Sequence, residues 1–406
     1  MNYVIIGNSA AGVGAVEGIR RTDAKGGLTV VAREPHHTYS RPLISYLVAG
    51  NVTEEKMRYR GAGFYAAHDT ALLAGTAAVS VDAGKKEVKL DNGSVLPYDK
   101  LLIAAGSTAF VPDTEGLQTV RDSYTFMNLD DARRLNAALT GRKRVLIIGA
   151  GLIGLKCAEG VVKKAASVTV LDTASRILPS VLDEAGAKRL KSHVGNQGVV
   201  FRLAAGIKRF EPNAAHLDGG ETVPFDVLVT AAGVRPNTAL LAGIAEIDQG
   251  ILVNARSETT APDIYAAGDC TQTADVSSGR SRVMAVLPNA YMQGECAGVN
   301  MAGGAAVFDK AVPMNAVGFF GLPVITAGCY TGEDYTVAAE NGYKRLFYSD
   351  NRLNGYILIG RVEKAGIYTS LVRERTPLDG LDFSLIRDKP GLMAFAKTDR
   401  ALKLGG

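Results

Sequence analysis

Val4-Ile5-Ile6-Gly7-Asn8-Ser9-Ala10-Ala11-Gly12-Val13-Gly14-Ala15 and Val145-Leu146-Ile147-Ile148-Gly149-Ala150-Gly151-Leu152-Ile153-Gly154 share one layout. In each, an aliphatic run of the kind buried on both faces of a parallel sheet breaks at a small-residue loop. Helical spacing then resumes. The first Gly of such a loop makes the tight turn, and the middle small residue lets the backbone approach a pyrophosphate. The last Gly lets helix and strand pack closely, while the helix N-terminus offers N–H groups and a positive dipole end. The second copy is a full G-x-G-x-x-G. The first reads G-x-S-x-x-G, with Ser9 in the middle place, small and able to donate to phosphate. One such loop is a weak signal; two argue for two nucleotides held by one chain.

Acidic residues follow at the right distance. Glu34 lies 22 positions after Gly12, at the end of a strand predicted over 28–32. Alone it reads as a surface Glu at a strand end. With loop, helix and strand all present, it is placed to accept from an adenosine ribose diol. Asp172 closes a strand predicted over 168–171, 18 positions after Gly154. A carboxylate there accepts from the 2′-OH of NAD and repels the 2′-phosphate of NADP. Arg176, four residues on, is placed to soften that repulsion, so the expectation is NADH over NADPH.

The rest of the chain repeats one plan. A helix is predicted over 11–21, then mixed structure over 35–72, hairpin-like β segments with a turn at Asp91-Asn92-Gly93, and a buried run at 101–106. A helix over 129–139 leads to the second βαβ unit, and a run at 227–233 echoes 101–106. A strand at 264–269 ends in Gly-Asp, residues 288–302 read as helix, and β-branched and aromatic residues dominate from about 311. The expected fold class is α/β: two Rossmann-like dinucleotide-binding domains plus a smaller C-terminal α+β domain. The expected boundaries are 1–112 with 245–310, then 113–244, then 311–406.

Bulk properties narrow the function. At 406 residues the chain suits two or three domains. A net charge of +4 without a basic block argues against nucleic acid or anionic lipid as partner. No apolar run approaches the roughly 20 residues that span a bilayer, and a strand beside Met1 leaves no secretory signal before the fold. The four cysteines, at 157, 270, 296 and 329, form no C-x-x-C, which argues against a metal site, a cluster or a redox disulfide. Reduced thiols in a cytoplasmic protein are the expectation.

The order of motifs at 7–12, 102–107, 149–154, 230–237 and 264–269 resembles the FAD-dependent pyridine-nucleotide oxidoreductases of the glutathione-reductase structural family, across essentially the whole chain. Tyr39-Ser40-Arg41-Pro42-Leu43-Ile44-Ser45-Tyr46-Leu47 is similar to the flavin-contacting stretch of ferredoxin, rubredoxin and nitrite reductase flavoproteins. The resemblance implies an FAD site at Gly7, Ser9, Ala11, Gly12, Glu34, Arg41, Pro42, Ala78, Ala105, Gly106, Gly268, Asp269, Pro288 and Asn289. It implies an NAD site at Gly149, Gly151, Leu152, Ile153, Gly154, Asp172 and Gly233. By the same likeness the helix from Pro288-Asn289 points its N-terminus at the flavin pyrimidine edge, where a reduced flavin carries negative charge.

Three departures from the family pattern matter. Disulfide- and peroxide-reducing members carry a redox Cys in the segment occupied here by residues 40–44, and this chain has none. The Lys that usually sits by flavin N5 is Tyr46. The Glu often found two residues after the last Gly of the second loop is Lys156, placed for an i,i+3 pair with Glu159. Lys156, Arg41 and Tyr46 are therefore the candidates beside the flavin and nicotinamide, with no certain catalytic side chain. The resemblance implies hydride transfer from NADH to FAD, then electrons to an iron–sulfur or rubredoxin-type partner. The reverse direction is equally open, as in the flavin subunit of a larger redox complex such as a tungsten aldehyde oxidoreductase. A stand-alone NADH oxidase or small disulfide or polysulfide reductase is the second reading, and a non-catalytic nucleotide-binding assembly subunit the third. The C-terminal domain is expected to serve as a homodimer or partner interface.

Overall fold

The structure is a computed structural model that describes residues 1–391 together with residues 394 and 395. Of the basic and aromatic tail at 383–403, residues 392–393 and 396–403 lie outside the described residues.

Two five-stranded parallel sheets form around the two quoted runs. In the first the order is Ile264–Ala266, Lys100–Ile103, Asn2–Ile6, Gly27–Ala32, Ala71–Ala74. In the second it is Val199–Leu203, Ser167–Asp172, Arg144–Ile148, Val227–Thr230, Ser123–Thr125. Each glycine-loop strand is central, flanked by its βαβ return and by the strand that leads to an Ala-Gly pair. Ile5 sits between Val30 and Leu102 as Ile147 sits between Val170 and Val229. These side chains are buried on both faces, which explains runs without polar alternation. Each unit also carries a three-stranded antiparallel insertion, Ala78–Asp82 with Glu87–Leu90 and Val95–Pro97 in one, Ile207–Glu211 with Ala214–Leu217 and Thr222–Pro224 in the other. The turn at 91–94 closes as expected, with Gly93 N–H donating to the Leu90 carbonyl at 3.1 Å.

The chain passes between the two units along an antiparallel ribbon, Ser107–Ala109 against Val234–Pro236. Asn237 fastens the ribbon's return, its side-chain amide donating to the Ala105 carbonyl at 2.8 Å.

A seam joins the helix Ala10–Thr22 to the helix Leu287–Met301. A Cβ on Gly294 would stand 2.0 Å from the Ala11 carbonyl oxygen, and one on Gly14 2.3 Å from that of Tyr291. The two backbones are in direct contact, which no larger residue permits at those places.

The C-terminal unit is a five-stranded antiparallel sheet in the order Met314–Phe319, Leu322–Gly328, Arg352–Ile359, Gly342–Ser349, Glu333–Ala339. Alternation decides its two faces. Tyr356 and Leu358 pack under the helix Ala365–Glu374, while Ile357 and Ile359 join the core of the second parallel-sheet unit.

Candidate functional site

Both glycine loops deliver an open helix N-terminus. Ser9 and Gly151 are the N-cap residues of Ala10–Thr22 and Leu152–Val161, neither makes a side-chain capping bond, and no acidic residue stands in either first turn. The first N–H groups of each helix are thus left for an external acceptor. The loops are superimposable in their tightest contact. A Cβ on Gly12 would lie 2.0 Å from the Gly7 carbonyl oxygen, and one on Gly154 1.9 Å from that of Gly149. Beside Gly151 nothing lies within 4 Å of a Cβ position, so the backbone there faces open space. Leu152 and Ile153 begin the second helix half-buried.

Asp172 is held beside the second loop. Its carboxylate accepts from the N–H of Ala150 at 2.6 Å and of Ala174 at 2.8 Å. Arg176 donates to the Pro179 carbonyl at 3.1 Å, closing a local turn. Gly233 ends the neighbouring strand's loop, with its carbonyl accepting from Phe110 N–H at 2.9 Å.

At the first loop Glu34 meets two residues of the 39–47 stretch. Tyr39 donates its hydroxyl to the carboxylate at 2.5 Å, and Arg41 forms an ion pair with it. Arg41 also donates to the Met127 carbonyl at 3.2 Å, and Pro42 sits in the short turn Arg41–Leu43 that follows. Burial pushes the Asp269 carboxyl up, with the Arg41 charge and the Ser107 hydroxyl working the other way. Arg41 thus stands within electrostatic reach of both Glu34 and Asp269.

The seam brings Gly268, Ala11 and Ala290 together. A Cβ on Gly268 would lie 3.2 Å from the Ala11 methyl and 3.5 Å from that of Ala290. Gln293 completes the join by accepting from the Gly268 N–H at 2.8 Å and the Thr271 hydroxyl at 3.1 Å. Sequence reasoning passed over Gln293; its signal was its place one helical turn after Asn289. Asn289 donates to the Val312 carbonyl at 2.9 Å, while its buried side-chain oxygen has no partner. The buried hydroxyl of Thr38, also unremarked in the sequence, has none either. Two orphaned polar atoms and an open glycine N-cap fit nucleotide groups that would complete them. Pro288 is exposed in the helix's first turn. Ala105 and Gly106 lie on the Asn237 side of the ribbon, and Ala78 packs against the cluster that contains Ile6 and Val31.

Two of the three departures from the family pattern meet each other. The Lys156 ammonium lies 4.4 Å from the centre of the Tyr46 ring, pairs with Glu159 and donates to the Gly318 carbonyl at 3.0 Å.

Three of the four cysteines are poor nucleophiles. Burial pushes the Cys270 thiol up to about 11, and pushes Cys157 and Cys296 up as well. Cys329 is partly exposed and donates to the Ser277 carbonyl at 3.1 Å. It lines a cleft of about 870 Å³ whose wall also holds Arg280, Arg282, Asp350 and Arg375. Arg282 is paired there with the fully buried Asp275 at 2.8 Å. Among the described residues no cluster of three metal-ligating side chains is found, and no helix is long and apolar enough to cross a membrane.

Comparison with known proteins follows the same lines. The family described as pyridine nucleotide-disulphide oxidoreductase matches residues 1–294. The chain is 33% identical over 393 residues to the NADH-dependent phenylglyoxylate dehydrogenase subunit epsilon of Aromatoleum evansii, covering 93% of each chain. It is 28% identical over 310 residues to the rubredoxin-NAD(+) reductase of Pseudomonas putida, covering 75% of this chain and 80% of that one. Among solved structures, the covalent putidaredoxin reductase–putidaredoxin complex superimposes with a TM-score of 0.88 at 24% identity, over 96% of both chains, a likeness of fold.

Proposed function

We infer the function from one premise: the chain belongs to the pyridine nucleotide-disulphide oxidoreductase family, as an FAD- and NAD(H)-dependent electron-transfer enzyme. From that premise we propose that it exchanges electrons with an iron–sulfur or rubredoxin-type protein and not with a disulfide. The placement of the cysteines carries this reading. Residues 40–44 contain no thiol, and three of the four cysteines are buried with their thiols held protonated. A disulfide or persulfide chemistry needs an accessible thiolate.

We assign FAD to the first loop, Glu34, Arg41, Gly268-Asp269 and the Asn289 helix end, and NADH to the second loop, Asp172 and Gly233. FAD, when bound, supplies hydride acceptance and single-electron release. The protein's part is orientation: two helix N-termini hold pyrophosphates, and Arg41 supplies a cation between Glu34 and Asp269. The Arg280- and Arg375-rimmed cleft suits an acidic protein partner. The similarity to a subunit of a larger dehydrogenase favours the same arrangement here, with a flavin subunit joining NAD(H) to a partner oxidoreductase. A tungsten-dependent aldehyde oxidoreductase is one such partner.

The test is anaerobic stopped-flow reduction by NADH followed by a rubredoxin or a small ferredoxin as acceptor, on the native chain and on Cys329→Ser. Rapid reoxidation in both is expected. Reoxidation by oxygen or polysulfide alone, or its loss in Cys329→Ser, would overturn the reading.

A further inference from the structure

Lys156 stands where three parts of the molecule meet. It belongs to the helix Leu152–Val161, whose N-terminus is the second glycine loop. Its ammonium is seated against Tyr46, four residues beyond Pro42 in the stretch assigned to FAD. Its hydrogen bond goes to Gly318, on the first strand of the C-terminal sheet. Glu159 extends the contact: it pairs with Lys156 and accepts from the Phe320 N–H at 3.0 Å. The Phe320 carbonyl in turn bonds His193, on the helix Glu184–Gly195, at 3.1 Å. One turn past Lys156, a Cβ on Gly160 would come within 2.9 Å of the Ser45 carbonyl oxygen, so the short helix Ile44–Val48 rests directly on the longer one.

An i,i+3 Lys–Glu pair on a solvated face does little. This pair is mostly buried, the Lys156 side chain being 14% exposed, and both members are tied to residues far away in sequence. An aromatic face and a carbonyl oxygen satisfy the ammonium from opposite units. The arrangement holds a cation in place of the carboxylate that the family pattern leads one to expect at this helix position.

We propose that Lys156 is a positioning residue for hydride transfer: it clamps the NAD-loop helix to the flavin-contacting segment and to the C-terminal sheet, and so sets how the nicotinamide meets the flavin. The proposal rests on the NADH–flavin reading given above. It assigns Lys156 no proton and no bond-making role; what it supplies is alignment, in a reaction where small displacements cost much rate.

The test uses the FAD-loaded full chain with Lys156→Met, Lys156→Arg and Tyr46→Leu. Hydrogen exchange read by mass spectrometry should quicken by about tenfold in peptides holding residues 45–49 and Phe320 in Lys156→Met. The anaerobic rate of flavin bleaching by NADH should fall by about tenfold to a hundredfold, with a weaker long-wavelength absorbance from the stacked nicotinamide–flavin pair. NADH affinity should stay within about threefold, because the phosphate loop is untouched. Lys156→Arg should retain most of both signals, and Tyr46→Leu should fall between. Unchanged exchange in Lys156→Met overturns the clamp, and faster exchange with an unchanged bleaching rate overturns its role in alignment. If Lys156→Met does not fold, Tyr46→Leu is held to the same two readouts. A wild-type flavin that NADH does not bleach overturns the functional reading and with it the positioning role, while the exchange data still decide whether the clamp exists.

Discussion

Asp172 does two things with one carboxylate. It holds the backbone of the second glycine loop through Ala150 and Ala174, and under the NADH assignment proposed above it would present a negative charge to the adenosine ribose. Arg176, four residues on, donates to the Pro179 carbonyl. Asp172→Ala should lower kcat/KM for NADH by about tenfold to a hundredfold, the worth of a lost charge-assisted hydrogen bond. NADPH should change much less, so the ratio of the two specificity constants is the measurement. Asp226 makes a different case. It grips Arg144 through side chain and backbone at the start of the central strand of the second sheet, and that pair holds its carboxyl down at about 2. A depressed folded value means the contribution is complete above the unfolded value of about 3.9 and disappears as pH falls through about 2. Both side chains are well exposed, at 42% and 32%, so screening leaves about 1 kcal/mol. Asp226→Asn should therefore unfold at lower urea than the native chain at pH 7, with the gap closing between pH 4 and 2. At this scale only short-range pairs were legible in advance. Lys156 with Glu159 follows from helical spacing, whereas Lys156 with Tyr46 and Glu34 with Arg41 depend on where whole segments are placed.

Strands that are buried on both faces announce themselves, and the elements confirm it. The strands Asn2–Ile6, Lys100–Ile103, Arg144–Ile148 and Val227–Thr230 were readable because nothing polar interrupts them. Ala71–Ala74 was not, since two exposed and two half-buried residues at a sheet edge carry no such signature, and the strand straddles the expected boundary at 72 between mixed structure and β segments. The crossing of Ala10–Thr22 with Leu287–Met301 was also invisible, because close approach of two helices is a property of the pair. That crossing sets up a prediction for the FAD assignment. Gly294→Val forces a branched side chain against the Ala11 carbonyl and must push the helices apart. Overpacking of this kind costs about 1–3 kcal/mol. The variant should melt earlier than the native chain and lose its flavin on dialysis, read as the absorbance ratio of flavin to protein. Full flavin retention at an unchanged melting temperature would show that the seam does not shape the cradle.

At the scale of the whole molecule, the two α/β units and the β-rich end were legible because the same layout occurs twice and then stops. The polar cleft was not, because its wall is assembled from residues 180 to 375. If an acidic partner docks there, the rate of electron delivery to it should fall by about tenfold between roughly 50 and 300 mM salt. Reduction of a small neutral dye should hardly change over that range, and equal salt sensitivity of the two would argue against the cleft. The helix seam has one more consequence, which concerns time. The segments proposed to cradle FAD come from both ends of a long stretch of chain, while the second parallel sheet is continuous between residues 123 and 230. During synthesis the second sheet is therefore complete first, and the helix ending at Met301 emerges roughly four to fourteen seconds later at ordinary translation speeds. Ribosome-bound chains exposed to about residue 250 should then bind an immobilised adenine-nucleotide analogue yet take up no FAD, so that on the proposed assignment the nicotinamide-nucleotide site forms before the flavin site.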